Sequence, residues 1–379
     1  VLLVGAGLML RTFANLMRAD VGLSTDGLIV TRVLLDPNRF PDGADRVAYF
    51  ARLVPQLRAI PGVENVALTT GLPLNDMNFG PTRPYWREGE TPPKGGGRKV
   101  RLQMISPGYF ATTGTPLLTG RPFTERDDQN ATPVAILNET LARQLWPNER
   151  AVGKRIIIDY LARGPYPYEV VGVMRDARSE SLRDDAEPEI RLPHAQVPYN
   201  RVNVVIRASK QIDPRSLFGA IREAARRVDP TEPVHSVLLM SDLLRSATAR
   251  ERFTFAVLGA FSALALVVAT AGLYAVAAAS VARRTAELSI RAAIGASHHD
   301  LLSMILREGA RLVVAGIAAG VVIAFALSET LRALLFGVAP FDATTYAAVA
   351  ALLLCASVLG ILSPARRAAR TNAAALLRT

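Results

Sequence analysis

The sequence predicts an α+β extracytoplasmic domain joined to an α-helical membrane domain of four spans, the first of them truncated. Three observations carry this expectation. Nearly all acidic residues precede Phe253, and the long uncharged runs follow it. Mean hydropathy is +0.22 although 20% of residues are charged, so charge and apolar surface are segregated along the chain. The short connections between the apolar runs differ sharply in arginine content, which orients them across a bilayer. A chain of 379 residues exceeds one compact core and suits two or three domains of about 100–200 residues each.

The first element is residues 1–17. Val1–Leu10 is apolar and ends at Arg11. Ten residues of helix reach about 15 Å, half of a hydrocarbon core of about 30 Å. A secretory signal would carry basic residues before its apolar stretch, whereas Arg11 and Arg18 follow it here. The expectation is a transmembrane helix truncated at its N-terminal end, with its linker, on a fragment of a longer protein.

Residues 18–252 carry the α+β patterning. Leu28–Leu35 is strand-like. Ala44–Ile60 has helical spacing, with Val47, Phe50, Leu53, Val54 and Leu57 on one side. Pro61-Gly62 stops the helix, and Asn65–Thr69 returns as a strand, giving one βαβ unit. Val202–Arg207, Pro214–Val228 and Val234–Leu239 repeat the pattern. Between the two units lie short strands at Val100–Ile105, Val134–Leu137, Arg155–Ile158 and Glu169–Met174, with a short helix at Leu141–Trp146. The architecture expected is a split lobe built from the two βαβ units and an inserted β-rich lobe. Pro81–Arg98, rich in Pro, Gly and charge, is expected to be a mobile loop. Ser241–Arg252 is expected to form a helix capped by Ser241 that feeds the first whole span.

Residues 253–379 hold the spans, at about 255–282, 312–336 and 343–365. Phe255–Ala282 has no charged residue. Leu312–Ser328 is short alone and is extended past Glu329 and Arg332, which can pair at i and i+3. Frequent small residues, among them Gly259, Gly272, Gly316 and Gly320, are expected to permit close helix–helix contact in lipid. The first connection, 283–311, carries Arg283, Arg284, Arg291, Arg307 and Arg311. Gly337–Asp342 carries no basic residue, and the tail after Pro364 carries Arg366, Arg367, Arg370 and Arg378. The positive-inside rule therefore puts the 283–311 loop and the tail in the cytoplasm, and residues 18–252 outside. This is a multi-pass protein whose solvent includes the lipid bilayer.

Composition and motifs exclude other classes. The net charge of +11 invites a nucleic-acid reading, but the basic residues are dispersed, with no aromatic-and-basic stripe, zinc-finger spacing or helix-turn-helix pattern, so no nucleic-acid partner is expected. The single cysteine, Cys355, lies in an apolar run and allows neither an internal disulfide nor a CxxC metal site. No GxxxxGK[ST] and no GxSxG occur. Gly95-Gly96-Gly97 beside Lys99 lacks the strand–loop–helix context of an anion cradle. His298-His299-Asp300 reads as a solvated loop rather than a metal site, since adjacent histidines diverge on a helix. His194 and His235 are isolated, and Tyr109 and Trp146 read as core. The chain is therefore expected not to be an enzyme, and to use no metal or cofactor.

One cluster stands apart, in the 283–311 loop: Arg284, Glu287, Leu288, Arg291, Ile294 and Gly295. Glu287 and Arg291 are i,i+4 partners that brace a short helix. Leu288 and Ile294 give it an apolar side, and Gly295 ends it. The pattern suits a solvated inter-span loop and a docking helix equally, and the residues alone leave both open.

At this cluster the chain resembles the coupling segment of MacB/FtsX-type ABC transporter permeases. Pro364-Ala-Arg-Arg-Ala-Ala-Arg370 and the residues to Arg378 are similar to that family's closing segment, with Asn372-Ala373 in place of the usual Asp-Pro. Ile105-Ser-Pro-Gly-Tyr-Phe110 with Gly114, Gly120-Arg-Pro-Phe-Thr-Glu-Arg-Asp127, Val134–Glu139, Trp146–Lys154 and Val170–Val173 resemble its MacB-like periplasmic core domain. The opening LLVGAGLMLRTF looks most like the second repeat of acidobacterial duplicated orphan permeases. The resemblance implies a permease of the bacterial cytoplasmic (inner) membrane. It implies a separate cytoplasmic ABC ATPase subunit docked at the cluster, a missing N-terminal repeat or second permease copy, and a periplasmic adaptor as a further partner. The implied function is coupling of ATP turnover to the outer domain for export or extraction of a substrate. The alternative is a membrane-anchored mechanotransmission or signalling scaffold that moves no substrate.

Overall fold

The computed structural model describes residues 2–18, 22–72, 80–92, 98–160, 164–177, 187–232, 234–247, 249–283, 294, 298–328 and 341–370. In chain order the elements are α1 (Leu2–Arg18), β1 (Leu28–Leu34), α2 (Gly43–Arg58), β2 (Val63–Thr69), β3 (Thr82–Arg87), β4 (Lys99–Ile105), α3 (Tyr109–Thr113), β5 (Leu117–Gly120), β6 (Val134–Asn138), α4 (Glu139–Leu145), β7 (Arg155–Tyr160), β8 (Gly164–Met174), β9 (Glu189–Pro193), β10 (Arg201–Ala208), a 3₁₀ turn (Pro214–Leu217), α5 (Phe218–Val228), β11 (His235–Leu239), α6 (Met240–Ala247), α7 (Ala249–Arg283), α8 (His298–Ser328) and α9 (Ala343–Arg370). They divide into two compact units: Ala19–Thr248, and Val1–Arg18 with Ala249–Thr379.

In the Ala19–Thr248 unit, the strand order β11-β1-β10-β2 interlaces the two βαβ segments. β10 runs antiparallel to both β1 and β2, and β1 antiparallel to β11. Each βαβ pair is thus parallel, with a strand of the other pair between its members, which is a split βαβ arrangement. One face packs Ile29, Val33, Val204 and Ile206 against Phe50, Leu53 and Leu57 of α2 and Ile221 of α5. The opposite face places Leu28, Val30, Ala67 and Val205 in a second cluster. Burial on both faces explains why β1 reads as a nearly continuous apolar run rather than an alternation. Tyr49, outside the helical stripe read from spacing, is fully buried beside Phe50.

The inserted strands follow the order β4-β3-β7-β8-β6-β9, and β9 pairs with β4 again. The ring closes into a six-stranded barrel, which leaves no free edge. Its interior holds alternate residues: Leu102 and Met104 of β4, Ile156 and Ile158 of β7, Ile190 and Leu192 of β9. β2 and β4 pair at Thr69↔Ile105, which makes the split sheet and the barrel one sheet.

β3 corrects the expectation of a loop over Pro81–Arg98. It pairs with β4 through residues 82–84 and with β7 through residues 85–87, and it buries Tyr85 and Trp86. Pro84 is tolerated because it sits where β3 leaves one neighbour and has not yet met the other, so no ladder bond needs its missing N–H. Two further corrections concern helices. The segment Ser241–Arg252 is divided between α6 and α7, and Ser241 lies inside the first turn of α6 instead of capping it. His298, His299 and Asp300 form the first turn of α8, not a loop.

In the helical unit, α1 packs Val4 and Leu8 against Ala324 of α8 and Tyr346 and Val349 of α9. Gly7 permits this approach, since a Cβ there would lie 2.8 Å from Thr345 Cγ2. Asp342 caps α9, accepting from Thr345 N at 2.9 Å, and pairs with Arg11. Arg252–Ser280 of α7, 29 residues, is long and apolar enough to cross a membrane. The shorter apolar stretches are Leu2–Thr12, Val313–Leu327 and Ala343–Val358. The pairing expected of Glu329 and Arg332 falls outside the described residues. α9 runs past the expected span end at 365 to Arg370. Among the described residues of this chain a Cβ at Gly259, Gly272, Gly316 or Gly320 meets nothing within 4 Å.

Candidate functional site: the anchor of the two chain exits

Of the cluster singled out in the 283–311 loop, Ile294 is described and is 81% exposed. Arg284, Glu287, Leu288, Arg291 and Gly295 lie outside the described residues. A single exposed apolar side chain is ordinary on a protein surface and by itself names no partner.

The structure brings out a different set, where the chain leaves the Ala19–Thr248 unit toward α1 and toward α7. The first exit, residues 22–27, is held by Arg207 of β10. Its Nε and Nη2 donate to Thr112 O at 2.9 and 2.7 Å, Nη2 donates to Ser24 O at 3.0 Å, and Nη1 donates to Asp26 O. A planar fork with five donors spread over three nitrogens reaches carbonyls on several sides at once, whereas the three donors of a lysine radiate from one nitrogen. Burial pushes the Arg207 pKa below its ordinary value, opposed by Glu64 and Asp26.

α3 supplies the other half of the grip. Ser24 N donates to Thr113 O at 2.7 Å. Thr115 Oγ1 donates to Gly22 O at 2.8 Å and meets Thr113 Oγ1 at 2.9 Å. Gly114, at φ +74, turns the chain between them, and a Cβ there would stand 3.2 Å from Ser24 Cβ. One side of the segment faces a cleft of 680 Å³ lined in part by Asp26, Glu64 and Lys210, so the anchor has a packed side and an open side.

The second exit is α6. Asp242 pairs with Arg215 at 2.8 Å, and Met240 and Leu243 are buried. They belong to the same cluster as Leu23 and Leu28 of the first exit. That cluster also holds Ile105, Ile136 and Met174 from the barrel strands and Tyr109 of α3. Both exits are therefore packed on one core shared by the split sheet and the barrel. Close-packed interiors transmit displacement instead of absorbing it.

A buried ion pair continues this path. Arg191 of β9 meets Glu189 at 3.1 Å and lies over the Tyr109 ring, 5.3 Å from its centroid. Burial pushes the Glu189 carboxyl up, with Arg191 and Arg101 pulling the other way. Among the described residues, Arg191 Nε and Nη1 and Glu189 Oε1 find no hydrogen-bond partner. His194, at the end of β9, is buried against Phe50, and burial lowers its pKa to about 4.

Sequence reasoning missed Arg207, Thr113 and Thr115 as anchor residues. The run Tyr109-Phe-Ala-Thr-Thr-Gly-Thr115 was their signal, since consecutive threonines around a glycine favour local side-chain-to-backbone bonding. The other singled-out motifs prove to be loop builders. Arg121 grips Asp127 with two bonds of 2.8 Å, and Asp127 accepts from Thr124 N at 2.7 Å. Lys154 pairs with Glu149 and stacks on Trp146 at 5.6 Å. Tyr109 and Trp146 are core residues, as read. Among the described residues no group of three or more His, Cys, Asp or Glu side chains could hold a metal ion.

Residues 1–224 match the family model described as MacB-like periplasmic core domain, and residues 259–373 match that of the FtsX-like permease C-terminal region. The chain is 30% identical over 279 residues to the pyoverdine export ATP-binding/permease protein PvdT of Pseudomonas syringae pv. syringae, covering 69% of this chain and 40% of that protein. It is 28% identical over 294 residues to the macrolide export ATP-binding/permease protein MacB of Wolinella succinogenes, covering 73% of this chain and 43% of that one. The chain thus spans less than half the length of these curated relatives. A solved structure of the periplasmic region of MacB from Actinobacillus actinomycetemcomitans aligns with a TM-score of 0.40 at 16% identity, covering 59% of this chain and 94% of that one.

Proposed function

The chain belongs to the family of membrane permeases that join a MacB-like periplasmic core domain to an FtsX-like permease region, and from that premise we propose that it couples a separate cytoplasmic ABC ATPase to the Ala19–Thr248 unit. On this reading it is a non-enzymatic, multi-pass subunit of the bacterial cytoplasmic membrane. Residues 18–252 lie outside, and the 283–311 loop lies in the cytoplasm. The ATPase docks on Arg284, Glu287, Leu288, Arg291, Ile294 and Gly295. The resemblance of LLVGAGLMLRTF to the second repeat of duplicated orphan permeases makes a first repeat or second permease copy the other membrane partner, with a periplasmic adaptor beyond it. Export is the activity named for the relatives above, and export or extraction of a substrate is the output proposed here.

The observation that carries the reading is the joint anchor. Both chain exits of the Ala19–Thr248 unit pack on one core with the barrel and the split sheet, so movement of either exit is delivered to the whole unit. The arginine-bearing 283–311 loop supports the orientation.

The test is co-purification. The full chain in detergent should retain an ABC ATPase. Glu287→Lys, which turns the i,i+4 attraction to Arg291 into repulsion, should lose it while the fluorescence of Trp86 and Trp146 stays unchanged. An ATPase retained undiminished by the variant would refute the docking assignment.

A further inference from the structure

The helical unit contains a groove of 270 Å³ bounded by α1, α7, α8 and α9. Its wall on α9 is Tyr346, Val349, Ala350, Leu353 and Ser357, a helical stripe at i, i+3, i+4, i+7 and i+11. Eleven residues of helix rise about 16 Å, close to half of a hydrocarbon core of about 30 Å. The facing wall on α8 is Val313, Gly316, Ile317, Gly320 and Val321. A Gly-xxx-Gly pair in a membrane helix ordinarily lets another helix approach. Among the described residues a Cβ on Gly316 or Gly320 would meet nothing within 4 Å, so within this chain the pair lines a groove.

The two ends of the groove differ. Tyr346 lies beside Phe341, with ring centroids 5.2 Å apart, and Phe341 beside Phe325 at 5.6 Å. Such aromatic groups collect where hydrocarbon meets headgroups. One turn before Tyr346 stand Asp342 and its partner Arg11. The Tyr346 side chain is 6% exposed, and among the described residues its hydroxyl has no hydrogen-bond partner, a costly state for a buried donor. From this polar end the walls are aliphatic down to Ser357.

We propose that the groove binds one acyl chain of a bilayer phospholipid from the outer leaflet, with the ester carbonyl at the groove mouth accepting from the Tyr346 hydroxyl. The proposal rests on the membrane-embedded reading of this unit given above. The length matches one leaflet and the walls match hydrocarbon.

The full chain is reconstituted in phosphatidylethanolamine/phosphatidylglycerol vesicles carrying a phosphatidylethanolamine with a diazirine in one acyl chain. It is irradiated, and adducts are mapped by mass spectrometry. Expected are adducts on Gly316–Val321 and Tyr346–Leu353 above the level at Val267 and Val322, which are 64% and 67% exposed. Gly320→Leu, which fills the groove, should abolish the groove adducts and leave those at Val267 and Val322, the internal evidence that the variant still inserts. Ser357→Leu, a milder change at the deep end, should abolish adducts near Leu353 alone. Labelling at Val267 and Val322 with none in the groove, or groove labelling unaffected by Gly320→Leu, would overturn the proposal while leaving the permease reading intact. Absence of adducts on α7, α8 and α9 altogether would overturn both.

Discussion

Arg207 acts through the shape of its guanidinium. Three backbone carbonyls, of Ser24, Asp26 and Thr112, converge on one planar fork, and hydrogen bonds to a charged donor contribute about 1.5–3 kcal/mol each before competition among them. Arg207→Met should destabilise the Ala19–Thr248 unit by about 2–3 kcal/mol, and Arg207→Lys should recover little of it because donors on a single nitrogen cannot span acceptors arranged around three nitrogens of the fork. Denaturant unfolding followed by tryptophan fluorescence checks this selectively. Both tryptophans of the chain, Trp86 and Trp146, are buried in that unit. His194 sets a pH dependence. Its pKa is lowered from 6.5 to about 4 by burial, so the unfolded chain binds the proton first. The stability it contributes is present above pH 6.5 and is lost as pH falls through that value toward 4, by up to about 3 kcal/mol. Glu189, whose carboxyl is pushed up by burial, acts with the opposite sign, losing stability as pH rises. His194→Gln should therefore flatten the melting temperature between pH 6.5 and 4, and an unchanged slope would show that another group sets it.

At the scale of elements, the segments that most resemble the family are turns and braces. Gly120 stands at φ +85, and a Cβ there would lie 2.1 Å from Val171 O, so β5 can pair with β8 because residue 120 has no side chain. Gly120→Val should cost more than about 2 kcal/mol, from left-handed strain and a clash with rigid backbone, and should release Arg121 from Asp127. Thermal unfolding read at the tryptophans measures it. These motifs were visible in the sequence, but their meaning was not, because the pairing of Arg121 with Asp127 depends on a loop whose ends are set by β5 and β6. The helices and most strands were legible, since α2 and α5 bury one side and β4 and β7 alternate. β3 was hidden because Pro84 and the neighbouring glycines mask a strand whose pairing passes from β4 to β7 mid-course. Barrel closure was illegible for a deeper reason. It rests on the parallel pairing of β4 with β9, residues far apart in sequence that carry no local signal. The glycines of α8 were read as contact sites from the frequency of small residues, and among the described residues Gly316 and Gly320 line a groove.

For the whole molecule, the division into two units follows from segregation of charge along the sequence. On the proposed function, the two exits of the Ala19–Thr248 unit, residues 22–28 and α6, have to be stiff. Leu23, Leu28, Met240 and Leu243 give both of them one core, and Arg207 and the Asp242–Arg215 pair lock each one to β10 and to the turn after it. On the proposed function, ATP turnover by an ATPase docked at the 283–311 loop reaches the Ala19–Thr248 unit through this anchor. Hydrogen exchange measures it most directly, on the full chain in vesicles with its ATPase, compared nucleotide-free and trapped with ATP and vanadate. The account predicts that amide exchange in residues 22–28 and 240–247 changes together on trapping, and that the change vanishes in Glu287→Lys. Exchange altered within 283–311 but constant at both exits would contradict it.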